Sequence, residues 1–149
     1  MSTRATEPHA ADILDVFDSY VAASITLDSE LVASYYDVPF LLVTAGSTML
    51  LESRPDVVAF LESTFRALRD VDFEGTSFPT LRARSLGRGL EVVSGVGIRY
   101  DADGIELAAL GLTYLWRLVD EAWKLTVMTI HDPSAMLLTG EPNGATERR

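Results

Sequence analysis

The residues of this chain best equipped for chemistry are aromatics with polar tips and one histidine: Tyr20, Tyr35, Tyr36, Tyr114, Trp116, Trp123 and His131. A phenol or an indole N–H is costly to bury without a partner, so such tips gather where a cavity, an ordered water or a ligand receives them. That lining suits a ligand with an apolar body and one or two polar atoms. Each aromatic also has a plainer role open to it, as a core residue whose tip bonds the backbone. His131, in Ile130-His131-Asp132-Pro133, is the candidate acid or base, because histidine ordinarily titrates near neutrality; Tyr20 is the candidate polarising hydroxyl. His131 can equally fix the exit from the last strand, while Asp132 either orients its ring or caps the following turn.

What is absent narrows the chemistry further. The chain has no cysteine, which excludes disulfides, thiolate metal sites and a cysteine nucleophile, and its two histidines, His9 and His131, are far apart. Neither a metal nor another cofactor is expected. No glycine-rich phosphate loop, nucleophile elbow or metal-binding helix motif occurs; Gly87-Arg88-Gly89 reads as a turn, and Gly95-Val96-Gly97 as strand glycines that let a sheet curve. With 22 acids against 12 scattered bases, the net charge of −10 argues against nucleic acid, which needs clustered cations. No stretch reaches the roughly 18 apolar residues of a membrane span, and Met1 to Pro8 carries no secretory signal. A cytoplasmic protein without a membrane partner is expected.

The elements that must position these residues follow from periodicity. Thr6-Glu7-Pro8 opens a helix whose buried stripe is Ile13, Leu14, Phe17, Tyr20, Val21, Ser24 and Ile25. Asp28 or Ser29 caps a shorter helix through Leu31, Val32, Tyr35 and Tyr36, ending before Pro39. A hairpin joins Phe40–Thr44 to Thr48–Glu52, and Ser53-Arg54-Pro55-Asp56 caps a third helix through Val57, Phe60, Leu61, Thr64, Phe65 and Leu68. An edge strand carries Leu81 and Ala83 alternating with Arg82 and Arg84. Three long strands then run from Leu90 to Pro133, turning at Asp101-Ala102-Asp103-Gly104 and at Asp120-Glu121. The whole is an α+β domain over residues 1–139, three helices against one side of an antiparallel sheet, with Gly140 to Arg149 as a mobile tail after the apolar Met136-Leu137-Leu138.

Pairing the last two strands across Asp120-Glu121 sets Leu118 opposite Trp123, Trp116 opposite Leu125 and Tyr114 opposite Val127, on the helix-covered side with Leu112 and Thr129. His131 is a candidate for the same side. The other side carries Thr113, Leu115, Arg117, Val119, Lys124, Thr126, Met128 and Ile130, too apolar for an idle surface and suited to a homodimer contact. Register at the Asp101 turn leaves the facing of Arg99 and Tyr100 open.

The run Tyr20-Val21-Ala22-Ala23, then Asp28 with Leu31, Val32, Tyr35 and Tyr36, the short hairpin, the Ser53-Arg54-Pro55-Asp56 helix start and Gly104 through Trp123-Lys124-Leu125 resemble the nuclear transport factor 2-like superfamily over Ala10 to Pro133. The resemblance implies a cone-shaped, cystatin-like fold, a curved sheet packed on three helices around a pocket, often dimeric through the sheet. Ketosteroid isomerases and polyketide cyclases belong there. The isomerases use a tyrosine and a protonated aspartate as an oxyanion hole and a second aspartate as base. Tyr20 matches the tyrosine, but neither Val38 to Leu51 nor Leu107 to Val119 holds any Asp or Glu. Thr44, Thr113, Tyr114 and His131 remain as hydrogen-bonding candidates. The expectation is therefore a domain binding a small apolar ligand through Tyr20, Tyr35, Tyr36, Thr44, Tyr114, Trp116 and Trp123. The alternative is an isomerase, cyclase or hydratase acting on a small apolar carbonyl compound through His131 and Tyr20.

Overall fold

The computed structural model describes residues 10–135 and 145–148. The expected helix start at Thr6 to Pro8, His9 and the Met136–Leu138 patch lie outside them. In chain order the elements are α1 (Ala10–Ile25), α2 (Ser29–Ala33), β1 (Tyr36–Thr44), β2 (Ser47–Leu51), α3 (Arg54–Asp70), β3 (Phe73–Gly87), β4 (Leu90–Asp101), β5 (Glu106–Val119), β6 (Ala122–His131) and β7 (Ala145–Arg148). One mixed sheet runs in the order β2-β1-β6-β5-β4-β3-β7, and the helices cover one of its faces.

Local chemistry places the boundaries. Asp28 caps α2 by accepting from the Leu31 N–H, and Ser53 caps α3 by accepting from Asp56, with Pro55 in the first turn. Asp120 and Glu121 both have positive φ, 50° and 67°, the backbone of a two-residue hairpin turn whose twist matches its strands. At the other hairpin the Asp101 carboxylate takes the N–H groups of Asp103 and Ile105, each at 2.9 Å. The core between helices and sheet is built from Ile13, Phe17, Phe40, Val57, Leu61, Leu81, Val93, Trp116 and Leu125, all nearly or wholly buried.

Five expectations change. Tyr36 opens β1 instead of closing α2, and β1 runs parallel to β6, so the sheet is mixed and not wholly antiparallel. β3 starts at Phe73, well ahead of the expected Leu81 to Arg84 alternation, and Pro79 falls in an irregular stretch between Ser77 and Thr80. Within the expected tail, Ala145–Arg148 pairs with Leu81–Arg84, because the outer edge of β3 offers unpaired backbone groups.

The fifth change matters most. A register shift between Leu115 and Trp116 leaves Thr126 without a partner, so Tyr114 faces Met128 and not Val127. One extra residue in a strand inverts its alternation from that point on. Met128 and Ile130 therefore lie on the helix-covered side, and Val127, Thr129 and His131 on the other. Arg117 stitches the irregularity, donating to Thr126 Oγ1 at 3.2 Å and to the Asp37 carboxylate at 2.7 and 3.1 Å.

Candidate functional site

Tyr20 stands at the centre of the inner aromatic group. Its ring lies edge-on to Tyr35 at 5.7 Å, Tyr114 at 6.2 Å and Trp116 at 5.6 Å, and its hydroxyl bonds that of Tyr36 at 3.0 Å. The α1 stripe supplies Phe17 one turn earlier, at 5.0 Å from Tyr114. Burial pushes the phenols of Tyr20, Tyr36 and Tyr114 above the ordinary tyrosine value of 10.0, furthest for Tyr36 and Tyr114. At Tyr20 the bond from Tyr36 and the positive charge of Arg99 partly oppose that rise. All three are neutral hydroxyls at neutral pH, available as donors and not as bases.

Beside this group, between α1, α3 and the sheet, lies a cavity of about 320 Å³. Phe60, Leu61, Phe65 and Leu68 of α3 form its apolar wall, opposite Leu42, Met128 and Ile130 of the sheet. Its polar lining is Tyr20, Ser24, Tyr36, Thr64, Thr76 and Arg99. A smaller cavity of about 80 Å³ shares Tyr20, Ser24, Thr76 and Arg99 and adds Leu112 and Tyr114. Arg99 thus stands on the wall between the two, directly across from Thr76 on the neighbouring strand.

Of the residues expected at a site, Tyr20 and Tyr36 line the larger cavity and Tyr114 the smaller; Tyr35 packs on Tyr20 without lining either. Trp116 is wholly buried beneath Phe17 and Tyr20, and Trp123 packs on the core near the far hairpin, opposite Leu118. Thr44 sits at the tip of the first hairpin, bonded to Ser47 Oγ and the Gly46 N–H, away from both cavities.

His131 and Tyr20 lie on opposite faces of the sheet. The His131 Nε2 accepts from Thr113 Oγ1 at 2.8 Å if its Nδ1 proton is given to the Asp132 carbonyl at 3.1 Å, and Thr113 in turn meets Ser94 Oγ at 3.0 Å. The Asp132 carboxylate caps the next turn, taking the hydroxyl and N–H of Ser134, which hold it below the usual carboxylate range. A histidine on that face has no access to a substrate held among the tyrosines.

The residues that sequence reasoning missed are Thr64, Thr76 and, above all, Arg99. An arginine between Ile98 and Tyr100, the one basic residue of β4, was the available signal. Among the described residues no group of three or more His, Cys, Asp or Glu could hold a metal ion, and no helix is long and apolar enough to cross a membrane.

A family model described as "NTF2-like protein (DUF6841)" matches residues 10–133. The chain belongs to this NTF2-like family. Solved structures bear out the same fold. An NTF2-like protein of unknown function from Shewanella oneidensis MR-1 superposes with a TM-score of 0.67 at 14% identity, covering 82% of this chain and 98% of that one. A ketosteroid isomerase-like protein from Erwinia carotovora atroseptica gives 0.63 at 15%, covering 82% and 94%. An uncharacterized protein with a cystatin-like fold from Caulobacter vibrioides gives 0.65 at 20%, covering 84% and 92%. No curated protein matches the NTF2-like chain.

Proposed function

We propose that this NTF2-like domain binds a small ligand with an apolar body in the cavity between α1, α3 and the sheet. The observation that carries this reading is the lining: an apolar wall from α3 and β6 facing the Tyr20–Tyr36 hydroxyl pair, in a volume at the lower end of small-molecule sites. An isomerase, cyclase or hydratase reading would draw on the likeness to the ketosteroid isomerase-like protein, but it needs a proton acceptor. Among the described residues lining the cavity there is no Asp, Glu or His, which favours binding over catalysis.

Thr64 sits mid-way along the α3 wall, on a different element from the Tyr20–Tyr36 pair, so a tryptophan there occupies the cavity while leaving both tyrosines in the sequence. The wild-type protein is expected to bind 4-phenylbutanamide in calorimetry. Thr64→Trp is expected to weaken that binding at least tenfold with an unchanged circular dichroism spectrum. Equal binding by the two proteins would remove the cavity from the function.

The face away from the helices supports a second assignment, a homodimer through the sheet. With Met128 and Ile130 turned inward, the residues left there form a row across five strands: Leu50, Leu41, Val127, Leu115 and Val92 are partners in register. A contiguous apolar row on a sheet is the usual material of a twofold contact. Sedimentation at micromolar concentration should give twice the chain mass, and Leu115→Arg, at the centre of the row, should halve it. A wild-type monomer would refute the contact.

A further inference from the structure

We propose that the ligand is a monoanion, a small carboxylate with an apolar body whose head group is bound by Arg99; this rests on the cavity being the ligand site. The distribution of charge is the first reason. The sequence carries 22 acids against 12 bases, yet none of the acids is among the described lining residues, where Arg99 is the one charged side chain. Chance placement in so acidic a chain would favour the opposite sign.

The second reason is that Arg99 has no counterion among the described residues. Among the described residues no carboxylate lies within ion-pair distance of it, whereas Arg54 and Arg117 are paired with Glu30 and Asp37. A half-buried cation is costly to leave without an anion, and a guanidinium offers a planar pair of donors that fits a carboxylate edge. Arg99 is close enough for its charge to act on both the Tyr20 and Tyr114 phenols.

The third reason is a spare hydrogen. Two hydroxyls meet in the Tyr20–Tyr36 bond, and only one of their protons is used in it. The other can be donated to an acceptor in the cavity, and Thr76 and Thr64 stand on the same lining. One guanidinium and one or two neutral hydroxyls satisfy a single carboxylate. They do not match a phosphate monoester, with about 1.5–2 negative charges at neutral pH. Nor does a helix N-terminus help, since α3 lines the cavity from Phe60 to Leu68, toward its C-terminal end.

The test compares 4-phenylbutanoate with 4-phenylbutanamide, which have the same apolar body, by calorimetry on the wild type and on Arg99→Met, Arg99→Lys and Thr64→Trp, each checked for folding by circular dichroism. The acid is expected to bind the wild type at least tenfold more tightly than the amide. Arg99→Met should abolish that preference, Arg99→Lys should keep part of it, and Thr64→Trp should weaken both probes. If acid and amide bind the wild type equally and both are weakened by Thr64→Trp, the charge assignment falls and the cavity stands. If the acid's advantage persists in Arg99→Met, Arg99 is not the anion's partner and the assignment likewise falls. If neither probe binds at millimolar concentration, both readings fall.

Discussion

Trp116→Ala is expected to cost about 3–5 kcal/mol, the range for removing a large buried aromatic. A domain of this size has a total stability of only about 5–15 kcal/mol, so the variant should sit close to its unfolding midpoint in mild urea. The expectation comes from position. Trp116 is wholly buried on the inner face of β5, between Glu91 and Leu125 on the neighbouring strands, which are buried as deeply. Its ring meets Phe17 at 6.4 Å and Tyr20 at 5.6 Å, both edge-on, so deletion removes the floor on which α1 rests. The same residue offers a finer test. Its indole Nε1 is buried without a hydrogen-bond partner among the described residues, and an orphaned donor of this kind costs about 1–3 kcal/mol. Trp116→Phe loses ring volume but also loses that penalty, so it should cost less than half as much as the alanine variant. Urea midpoints at unchanged slope measure both; an alanine variant within about 1 kcal/mol of wild type would show that α1 does not depend on this ring.

Most of the fold was legible because its signals are local. The α1 and α3 stripes follow the helical repeat, Asp28 and Ser53 are side-chain caps, and Asp120-Glu121 and Asp101 to Gly104 are turns whose residues accept unusual backbone. What stayed hidden depends on register between distant strands. Leu125-Thr126-Val127-Met128-Thr129-Ile130 alternates equally well in either phase, so nothing in it announces that Thr126 is skipped. That one residue moved Met128 and Ile130 into the cavity wall and carried His131 away from Tyr20. Arg99 was hidden for a related reason: β4 and β5 shift register between Arg99 and Tyr100, so counting back from the turn could not give its face. The parallel pairing of β1 with β6 was equally out of reach, since short turns between sequential strands suggest only antiparallel neighbours. The packing of Tyr20 with Tyr36 and Tyr114, in contrast, could be anticipated from residue type alone, because burying several phenols together demands partners wherever the strands fall.

Gly95→Ala is expected to be among the most damaging single-methyl additions in the sheet. A Cβ at Gly95 would stand 2.5 Å from the Thr80 carbonyl oxygen and 2.8 Å from Leu81 Cδ1. The first obstacle is backbone and cannot rotate away, so β3 must move. Overpacking typically costs about 1–3 kcal/mol, and this case belongs at the upper end of that range. Gly97, two residues on and facing the same way, is the control. There a Cβ meets only the Leu112 Cδ1 at 3.0 Å and the Phe78 ring at 3.1 Å, side-chain atoms that can yield by a few tenths of an ångström. Alanine also gains about 0.5–1 kcal/mol over glycine in a strand, so Gly97→Ala should fall within about 1 kcal/mol of wild type. The site feels the difference as well. Thr80 closes the irregular stretch of β3 that begins at Ser77, beside Thr76 on the wall shared by the two cavities, so a displaced β3 shifts Thr76 relative to Arg99. Gly95→Ala should therefore lower both the thermal midpoint and the affinity for 4-phenylbutanoate, while Gly97→Ala lowers neither strongly. Equal midpoints for the two variants would show that β3 slides freely over β4 and that the close approach at Gly95 does not hold the cavity wall in place.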